Sequence, residues 1–397
     1  MRYLKVFNGK VITPSGIIPS GYVLASGDKI IETGAGNPEI PGATEIDAHG
    51  HYISPGFIDL HIHGGGGADF MDNTVEAFLT IANIHAKYGT TAMMPTTLSC
   101  GQASLLQTLD TYAAANAQNR QGAQFIGIHI EGPYFSMNQR GAQDPKYIHD
   151  PSPAEYLEVL AHSKDVKRWS IAPERPGAIE MGKVLKAHNI LPSIAHTDAV
   201  YEEVLPAYAV GYTHCTHFYS AMSGVTRRNA FRYAGVIETA YLIDDMTVEI
   251  IADGIHLPAS LLKLIYKLKG PENTALITDA MRAAATSTPT SILGSLQDGL
   301  PVIVEDGVAK LPDRSSFAGS VATADRLVRT MIAEAGIPLT DAVRMITETP
   351  ARIMGISHQK GTLEKERDAD IVIFDENINI QTTIVSGNII YTRHEGI

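Results

Sequence analysis

Cysteine is nearly absent from this sequence: two of its 397 residues are cysteines, Cys100 and Cys215. Two cysteines cannot form a disulfide framework and cannot on their own supply the thiolates of a structural metal site. The sequence also lacks a signal-peptide apolar core near its N-terminus, and no run reaches about 18 apolar residues. These absences argue against a disulfide-stabilised secreted fold and predict a soluble cytoplasmic protein that has no membrane partner.

Positive charge is scarce as well, because 31 Lys and Arg residues face 43 Asp and Glu residues, which gives a formal net charge of -12. Nucleic acids and anionic membranes are bound by basic surfaces that displace counterions. The charge balance therefore predicts no nucleic-acid partner, although it allows a small anionic ligand. Hydrophobic residues make up 44% and charged residues 19% of the chain, which is typical of a globular protein with a large core.

Both ends of the sequence have the pattern of short β-strands. Residues 1–54 contain strand-like segments separated by glycine and proline, at 3–7, 11–13, 21–25, 29–33 and 45–46. The C-terminal end repeats this pattern at 369–374, 380–386 and 388–391. No long helical period interrupts either end. We therefore expect residues 1–54 and 358–397 to fold together into one small β-sandwich domain.

The middle of the chain alternates strand-like apolar runs with helix-like stretches, which is the pattern of βα units around a parallel sheet. The strand-like runs are residues 55–63, 90–97, 125–131, 168–174, 191–197, 211–217, 247–256 and 274–279. Eight parallel strands close a (β/α)8 barrel. A helix ending at Gly89 and a capping box at 152–155 fit the intervening segments. The sequence predicts an α/β fold in which residues 55–357 form a TIM-like barrel.

Ionisable side chains fall at the C-terminal ends of several of these runs. All strands of a parallel barrel end on the same face, which is where such enzymes hold their active sites. His61 and His63 are two positions apart, so both side chains can point inward. Nitrogen and oxygen donors without thiolate favour Zn²⁺ or Fe²⁺. The residues that we expect to converge on a divalent metal site are His61, His63, Glu131, His196, His217 and Asp279.

Each of these residues also has a purely structural interpretation. A single histidine at a strand end is more often a hydrogen-bonded structural residue than a ligand, so only the joint pattern favours a metal site. Arg227 and Arg228 form either a solvated basic pair or an anion clamp, because a guanidinium meets phosphate through two parallel donors. The glycines at 64–67 precede no phosphate-loop lysine and predict a flexible turn.

Two stretches resemble the amidohydrolase superfamily: PGFIDLHIH at 55–63 and the segment from GTL to DADIV at 361–372. The middle of the chain is similar to the N-acetylglucosamine-6-phosphate deacetylase family. That similarity is carried by HIEGPY at 129–134, GAQ at 141–143, IADGIH at 251–256, TDAMR at 278–282 and AGS at 318–320. The resemblance covers essentially the whole chain. It implies a hydrolase that removes the N-acetyl group of an amino sugar 6-phosphate.

The resemblance also implies roles for individual residues. Glu131, His196 and His217 match the ligands of the family's main metal ion, while His61 and His63 match a second ion that only binuclear members hold. One or two ions of zinc or iron are therefore expected. Asp279 matches the catalytic aspartate, which passes a proton from water to the departing nitrogen. The positions that match sugar-phosphate contacts are Ala142, Gln143, Ser220, Ala221, Arg228, His256, Phe317, Ala318 and Gly319.

Arg228 matches a phosphate ligand that reaches across a dimer interface, so a homodimer is expected. Two positions depart from the family pattern: Ser220 replaces an asparagine of many members, and Gln143 replaces a histidine of some others. These departures leave the sugar open, and N-acetylgalactosamine 6-phosphate is an alternative substrate. Two further alternatives are an amidohydrolase of N-acyl amino acids or cyclic amides, and a catalytically silent scaffold barrel.

Overall fold

The computed structural model describes residues 3–393, which form an α/β fold. Its α-helices are Val75–Ala86, Gln102–Gln118, Pro153–His162, Ala178–Ala187, Tyr201–Val210, Val236–Leu242, Ala259–Lys269, Ala324–Ala333, Leu339–Ile346 and Glu348–Ile353. Within the described range, no helix combines the length and the apolar character needed to cross a bilayer.

A parallel barrel occupies the middle of the chain. Its strands, in order around the ring, are Phe57–Ile62, Thr90–Pro95, Gln124–Phe125 with Ile128–Glu131, Val166–Ile171, Leu191–Ile194, His214–Cys215, Thr247–Ile251 and Thr274–Ile277. Single parallel bridges join the two partial sheets, one between Thr96 and His129 and one between Ile62 and Ala280. The predicted TIM-barrel-like α/β architecture is therefore confirmed.

Strands from both ends of the chain hydrogen-bond into one sheet. Its strands are Tyr3–Thr13, Gly16–Ser26, Lys29–Ala35, Thr44–Asp47, Tyr52–Pro55, Ile371–Phe374, Ile380–Val385 and Asn388–Thr392. Tyr52–Pro55 links the two ends, because it pairs in parallel with Tyr3–Thr13 and antiparallel with Ile371–Phe374. The two ends thus share one buried core. The sandwich arrangement and the boundaries 1–54, 55–357 and 358–397 stay predictions.

Several barrel strands are shorter than the apolar runs that predicted them. The run at 125–131 is split, because Gly127 has a φ of +116° and breaks the extended backbone. The run at 247–256 stops forming strand at Ile251. Beyond it, the Asp253 carboxylate accepts hydrogen bonds from the backbone N–H groups of Ile255 and His256, which fold the chain into a turn.

The predicted capping box at 152–155 is wrong, although the helix Pro153–His162 begins where it was expected. Ser152 occupies the N-cap position, but its side chain makes no capping hydrogen bond. The Glu155 carboxylate instead accepts a hydrogen bond of 3.2 Å from the Tyr134 hydroxyl. A tertiary contact has replaced the local one.

A four-stranded antiparallel lobe follows the last barrel strand and was not predicted. Its strands are Thr290–Leu293, Leu300–Glu305, Val308–Lys310 and Phe317–Ser320. The sequence signal for it is VIVEDGVAK at 302–310, since an Asp-Gly pair between apolar segments favours a two-residue hairpin turn. Asp306 and Gly307 both have positive φ, as that turn requires. The lobe brings Phe317 to the mouth of the barrel.

Candidate metal centre and active site

The expected metal donors lie at one mouth of the barrel, in two groups. Within each group, one donor atom per residue lies within 4.8 Å of the others. The first cluster consists of Glu131, His196 and His217, and the second cluster consists of His61, His63 and Asp279. The six donors are buried, although they come from strands far apart in the chain. The convergence expected from the strand ends is therefore present in the structure.

Three of these residues follow their strands in a left-handed backbone conformation. His196, His217 and Asp279 have φ values of 45°, 30° and 47°, and each stands two residues beyond a barrel strand. This conformation costs a residue with a Cβ atom roughly 1–2 kcal/mol. Such strain is concentrated at functional sites. The backbone strain at these three donors is therefore tied to their position at the mouth of the barrel.

Glu131 is the central acceptor of the first cluster. Its Oε1 lies 3.0 Å from His217 Nε2 and 3.3 Å from His196 Nε2. The same carboxylate lies 3.5 Å from the Nε2 atoms of His61 and of His63. Glu131 therefore connects the two clusters, as a carboxylate between two cations would.

The second cluster joins the first strand to the last. His63 Nε2 lies 3.1 Å from Asp279 Oδ1 and 3.2 Å from His61 Nε2. The backbone N–H of Asp279 donates to the carbonyl of His61 at 2.9 Å, so the two chain segments are tied together directly. Asp279 thus lies within reach of both the imidazoles and the cavity.

The tautomers of all four imidazoles can be assigned from their outer partners. Each Nδ1 faces an acceptor: Glu249 Oε1 for His61, the Thr96 carbonyl for His63, the Gln139 carbonyl for His196 and the Ser220 carbonyl for His217. Each Nδ1 therefore has an acceptor for its proton, and each Nε2 faces the centre, where loss of its own proton to a metal ion would expose a lone pair. Metal-binding histidines have this arrangement. Four converging lone pairs and two carboxylates fit a divalent cation that prefers nitrogen and oxygen donors.

The carboxylates of the two clusters are ionised. Burial opposes ionisation of Glu131, but attraction to His61 and hydrogen bonds from His196 and His217 outweigh it and hold its pKa well below the ordinary value. For Asp279 burial is again the largest influence, yet His61 and His63 lower its pKa. Both groups can therefore serve as negatively charged ligands or as proton acceptors.

A further buried carboxylate supports the second cluster from below. Asp59 Oδ2 accepts a hydrogen bond of 2.5 Å from the Thr278 hydroxyl, and its Oδ1 accepts from the backbone N–H of His61 at 3.2 Å. Burial raises the pKa of Asp59 to about 7, against the opposing effect of the hydrogen bonds from Thr278. Asp59 was not among the residues expected at the site, although a carboxylate inside an apolar strand was a usable signal.

A cavity of about 290 Å³ opens above the two clusters. Most of the expected sugar-phosphate contacts lie in its wall, which includes Ala142, Gln143, Ser220, Ala221, His256, Phe317 and Gly319. Ala318 is fully buried between Phe317 and Gly319. His256 donates its Nδ1 proton to Asp253 Oδ2 at 2.8 Å, and its ring packs 4.7 Å from that of Phe317. Asp253 therefore engages only Nδ1, which leaves Nε2 available to a ligand.

Gln143 contacts the first cluster directly. Its Nε2 donates to Glu131 Oε2 at 2.8 Å, and its Oε1 accepts a hydrogen bond from the backbone N–H of Ser99 at 2.8 Å. The amide is therefore fixed between the wall of the cavity and the central carboxylate. Gln143 was expected to contact the substrate. The structure shows in addition that it orients Glu131.

Arg228 lies apart from the other expected contacts. It is exposed on the hairpin formed by Thr226–Arg228 and Phe231–Tyr233, with its guanidinium 5.4 Å from the centre of the Tyr233 ring. Among the described residues that line the cavity of the same chain, Arg228 is not found. Any contact with a ligand's phosphate must therefore involve another copy of the chain or movement of this hairpin.

The amidohydrolase family matches residues 52–390 of the chain. The chain is 33% identical over 391 residues to an N-acetylglucosamine-6-phosphate deacetylase of Bacillus subtilis (strain 168), covering 97% of this chain and 96% of that protein. It is 32% identical over 347 residues to an N-acetylgalactosamine-6-phosphate deacetylase of Shewanella sp. (strain ANA-3), covering 86% of this chain and 83% of that protein.

A solved structure with the same fold carries a ligand. It is a variant of N-acetyl-D-glucosamine-6-phosphate deacetylase from Mycobacterium smegmatis in complex with N-acetyl-D-glucosamine-6-phosphate. The TM-score is 0.89 at 30% identity, and the match covers 99% of this chain and 100% of that one.

Proposed function

The chain belongs to the amidohydrolase family and is an amide-bond hydrolase, and we propose that it converts N-acetyl-D-glucosamine 6-phosphate and water into D-glucosamine 6-phosphate and acetate. The observation that carries this proposal is the convergence of both donor clusters beneath one cavity. The relatives that act on such substrates match this chain over nearly its whole length.

The metal ligands in this proposal are Glu131, His196 and His217 for one ion and His61 and His63 for a second. The absence of thiolate from both clusters favours zinc or iron over softer ions. When bound, a divalent ion supplies Lewis-acid activation of water and of the acetyl carbonyl. Such an ion would be bound by the Nε2 atoms, because the Nδ1 atoms of the imidazoles are engaged by other acceptors.

Asp279 moves the proton. Its carboxylate is ionised and lies at the edge of the cavity, so it can accept a proton from the attacking water. It then returns this proton to the sugar nitrogen, because an amide anion is too poor a leaving group to depart unaided. General acid–base catalysis of this kind is worth about 10² to 10⁴ in rate.

The remaining residues orient the substrate. Gln143, Ser220 and Ala221 contact the sugar and its acetamido group, as do Phe317 and Gly319 on either side of the buried Ala318. His256 and the partner subunit's Arg228 bind the phosphate, which requires a homodimer. Binding of the distant phosphate holds the acetyl carbonyl at the metal centre.

The galactosamine epimer is the second candidate substrate. A relative that is 32% identical acts on it by name, and Ser220 and Gln143, where the chain departs from the deacetylase family pattern, both line the cavity. Neither residue contacts a phosphate in this proposal. Either sugar would be cleaved with the same metal ligands and the same Asp279.

Acetate release tests the proposal directly. Purified protein with measured metal content is assayed on N-acetylglucosamine 6-phosphate, its galactosamine epimer and unphosphorylated N-acetylglucosamine, with an N-acetyl amino acid as a further substrate. We expect the glucosamine phosphate to have the highest kcat/KM. Highest activity on the unphosphorylated compounds would reject a sugar phosphate as substrate, and no release from any of them would favour the scaffold alternative.

Arg228→Ala tests whether this residue binds the phosphate of the substrate. A hydrogen bond to a charged group contributes about 1.5–3 kcal/mol, so KM for the phosphorylated sugar should rise by roughly 10- to 100-fold while kcat/KM for the unphosphorylated sugar stays unchanged. Arg227→Ala, one position away on the same hairpin, is the matched control. Equal effects on both sugars would exclude Arg228 from phosphate binding.

We also propose the domain division 1–54 with 358–397 around 55–357, in which the two ends form the predicted sandwich. Pairing of Tyr52–Pro55 with Ile371–Phe374 supports it. The cytoplasmic location expected from the composition stays a prediction.

A further inference from the structure

A fully buried ion pair lies inside the barrel, beneath both donor clusters. Arg168 on the fourth strand and Glu249 on the seventh have no exposed side-chain surface. Arg168 NH1 donates to Glu249 Oε2 at 2.6 Å, and NH2 donates to Oε1 at 2.7 Å. The pair is therefore bidentate, which is the strongest geometry between these two groups.

Glu249 connects this pair to the donor clusters. Its Oε1 accepts the Nδ1 proton of His61 at 2.9 Å and the backbone N–H of His217 at 3.3 Å. Its Oε2 lies 3.2 Å from Nε2 of the buried His214. One carboxylate thus contacts a ligand side chain of the second cluster and the backbone of a ligand in the first.

The other donors of Arg168 hold the neighbours of the same ligands. Its Nε donates to Ser193 Oγ at 3.0 Å, NH1 also donates to the Leu60 carbonyl at 3.3 Å, and NH2 donates to Thr216 Oγ1 at 2.6 Å. Leu60 precedes His61 in the chain, and Thr216 precedes His217. Each guanidinium nitrogen is thus engaged inside the ring.

Barrel packing alone does not explain such a pair. Removing two charges from water costs several kcal/mol for each ion, and apolar residues of the same volume are often equally or more stabilising. Apart from Arg168 and Glu249, the buried side chains of the two strands, VKRWSI at 166–171 and TVEII at 247–251, are uncharged. The charge is found where a ligand histidine needs an acceptor.

We propose that Glu249 is a positioning residue for the metal centre: it holds His61 in the tautomer with an unprotonated Nε2, and Arg168 holds and neutralises Glu249. A carboxylate behind a ligand histidine fixes the ring orientation and strengthens the ligand. The inference rests on the proposed function only in requiring that the second cluster bind a divalent ion. It is independent of which substrate is cleaved.

Cobalt binding provides the first test, because the visible absorption of Co²⁺ reports occupancy without any substrate. A His196→Ala background leaves the second cluster as the intact site, and a His63→Ala background leaves the first. Loss of an outer carboxylate typically weakens metal binding by about 10- to 100-fold. We expect Glu249→Gln to weaken Co²⁺ at the second cluster to this extent, because a neutral amide strengthens the His61 imidazole less than a carboxylate does. The first cluster should change by less than about threefold, since Glu249 contacts it only through the backbone N–H of His217.

The single variant leaves Arg168 without a counter-charge, which can unfold the barrel. The double variant Arg168→Met/Glu249→Gln removes both charges and should fold, as judged by circular dichroism and thermal unfolding. It should show the same selective loss at the second cluster. A folded double variant that binds Co²⁺ there within threefold of its parent would overturn the proposal.

Glu174→Gln is the matched control. Glu174 is a half-buried carboxylate at the mouth, and it accepts hydrogen bonds from Thr197 Oγ1 at 2.6 Å and from the Asp198 N–H at 2.8 Å, next to His196. Its loss should affect the first cluster and spare the second. The same loss at the second cluster in this variant would mean that any carboxylate at the mouth has this effect, and would also overturn the proposal.

The tautomer can be read without disturbing the barrel. In protein labelled with ¹⁵N-histidine, the imidazole resonances of His61, assigned by their absence from His61→Ala, should show a proton on Nδ1, the atom that faces Glu249. An Nδ1 without a proton would refute the role of Glu249 even if all variants failed to fold. If the cobalt and NMR results are as expected but the parent protein deacetylates none of the sugars, only the proposed substrate is refuted.

Discussion

The two donor clusters are held in place by different parts of the fold. In the first cluster, His196 and His217 donate their Nδ1 protons to the carbonyls of Gln139 and Ser220, which lie in loops at the mouth. In the second, His61 is held by a side chain inside the barrel and His63 by the Thr96 carbonyl beside the second strand. One cluster therefore depends on loops and the other on the barrel core, although they share a cavity.

Asp279→Asn tests the largest difference between the clusters, which is their role in proton transfer. We expect kcat to fall by about 10² to 10⁴-fold, because an amide cannot accept the proton of water. The ion of the first cluster should remain bound, as measured by metal analysis. Asp298→Asn is the control, because this exposed carboxylate lines a separate pocket that shares Ala142 and Gln143 with the cavity. Full activity in Asp279→Asn would show that both clusters serve binding alone.

Removal of one ligand from each cluster gives the next largest effect. His196→Ala should lose the ion of the first cluster, because the remaining Glu131 and His217 are too few to hold it. His61→Ala should lose only the second ion and leave metal at the first cluster. His162→Ala, at a histidine paired with Asp110 at the surface, should retain both, and equal metal loss in the two cluster variants would mean that the ions bind as one unit.

Asp198→Ala should weaken metal binding at the first cluster only. Asp198 accepts hydrogen bonds from Ser136 Oγ at 2.6 Å and Gln139 Nε2 at 2.7 Å, and Gln139 supplies the carbonyl behind His196. We expect about tenfold weaker binding at the first cluster, measured by Co²⁺ titration, with the second unchanged. Asp150→Ala removes a surface acid paired with Arg175 and is the comparison. Unchanged affinity would mean that the loop is held by other contacts.

Thr278→Val should have the smallest effect on metal and the clearest effect on folding. It removes the buried hydrogen bond to Asp59 in the barrel core, which should lower the free energy of unfolding by about 1–3 kcal/mol. Denaturant titration measures this, with the exposed Thr44→Val as control. A variant as stable as the parent would contradict the view that the second cluster is tied to the core.

The metal donors could be predicted from sequence because strand position determines where a side chain emerges. His61 and His63 could be predicted because residues two apart on a strand point to the same side. Glu131 could be predicted because it ends an apolar run. The left-handed φ of His196, His217 and Asp279 had no sequence signal, since none of these residue types requires it. The acceptors behind His196 and His217 are backbone carbonyls, which any residue would supply.

Long-range partners were the other gap. Arg168 and Glu249 are 81 residues apart, and each was visible only as a charge within a strand-like run. Pairing of two such charges depends on which strands face each other across the ring. The lobe at 290–320 was missed for a different reason: its Asp306-Gly307 turn was a usable signal, but an antiparallel insertion lies outside the alternation of helices and strands that predicts a barrel.

The pairing of Tyr52–Pro55 with Ile371–Phe374 has a consequence for biosynthesis. The strand that carries His61 begins two residues after this pairing ends. The partner of Tyr52–Pro55, however, is Ile371–Phe374, which leaves the ribosome after the whole barrel has been made. During translation the N-terminal strands must wait with an open edge for a partner from the far end of the chain. Contacts of such large sequence separation form slowly, so a growing chain is open to mispairing until its final segment is released.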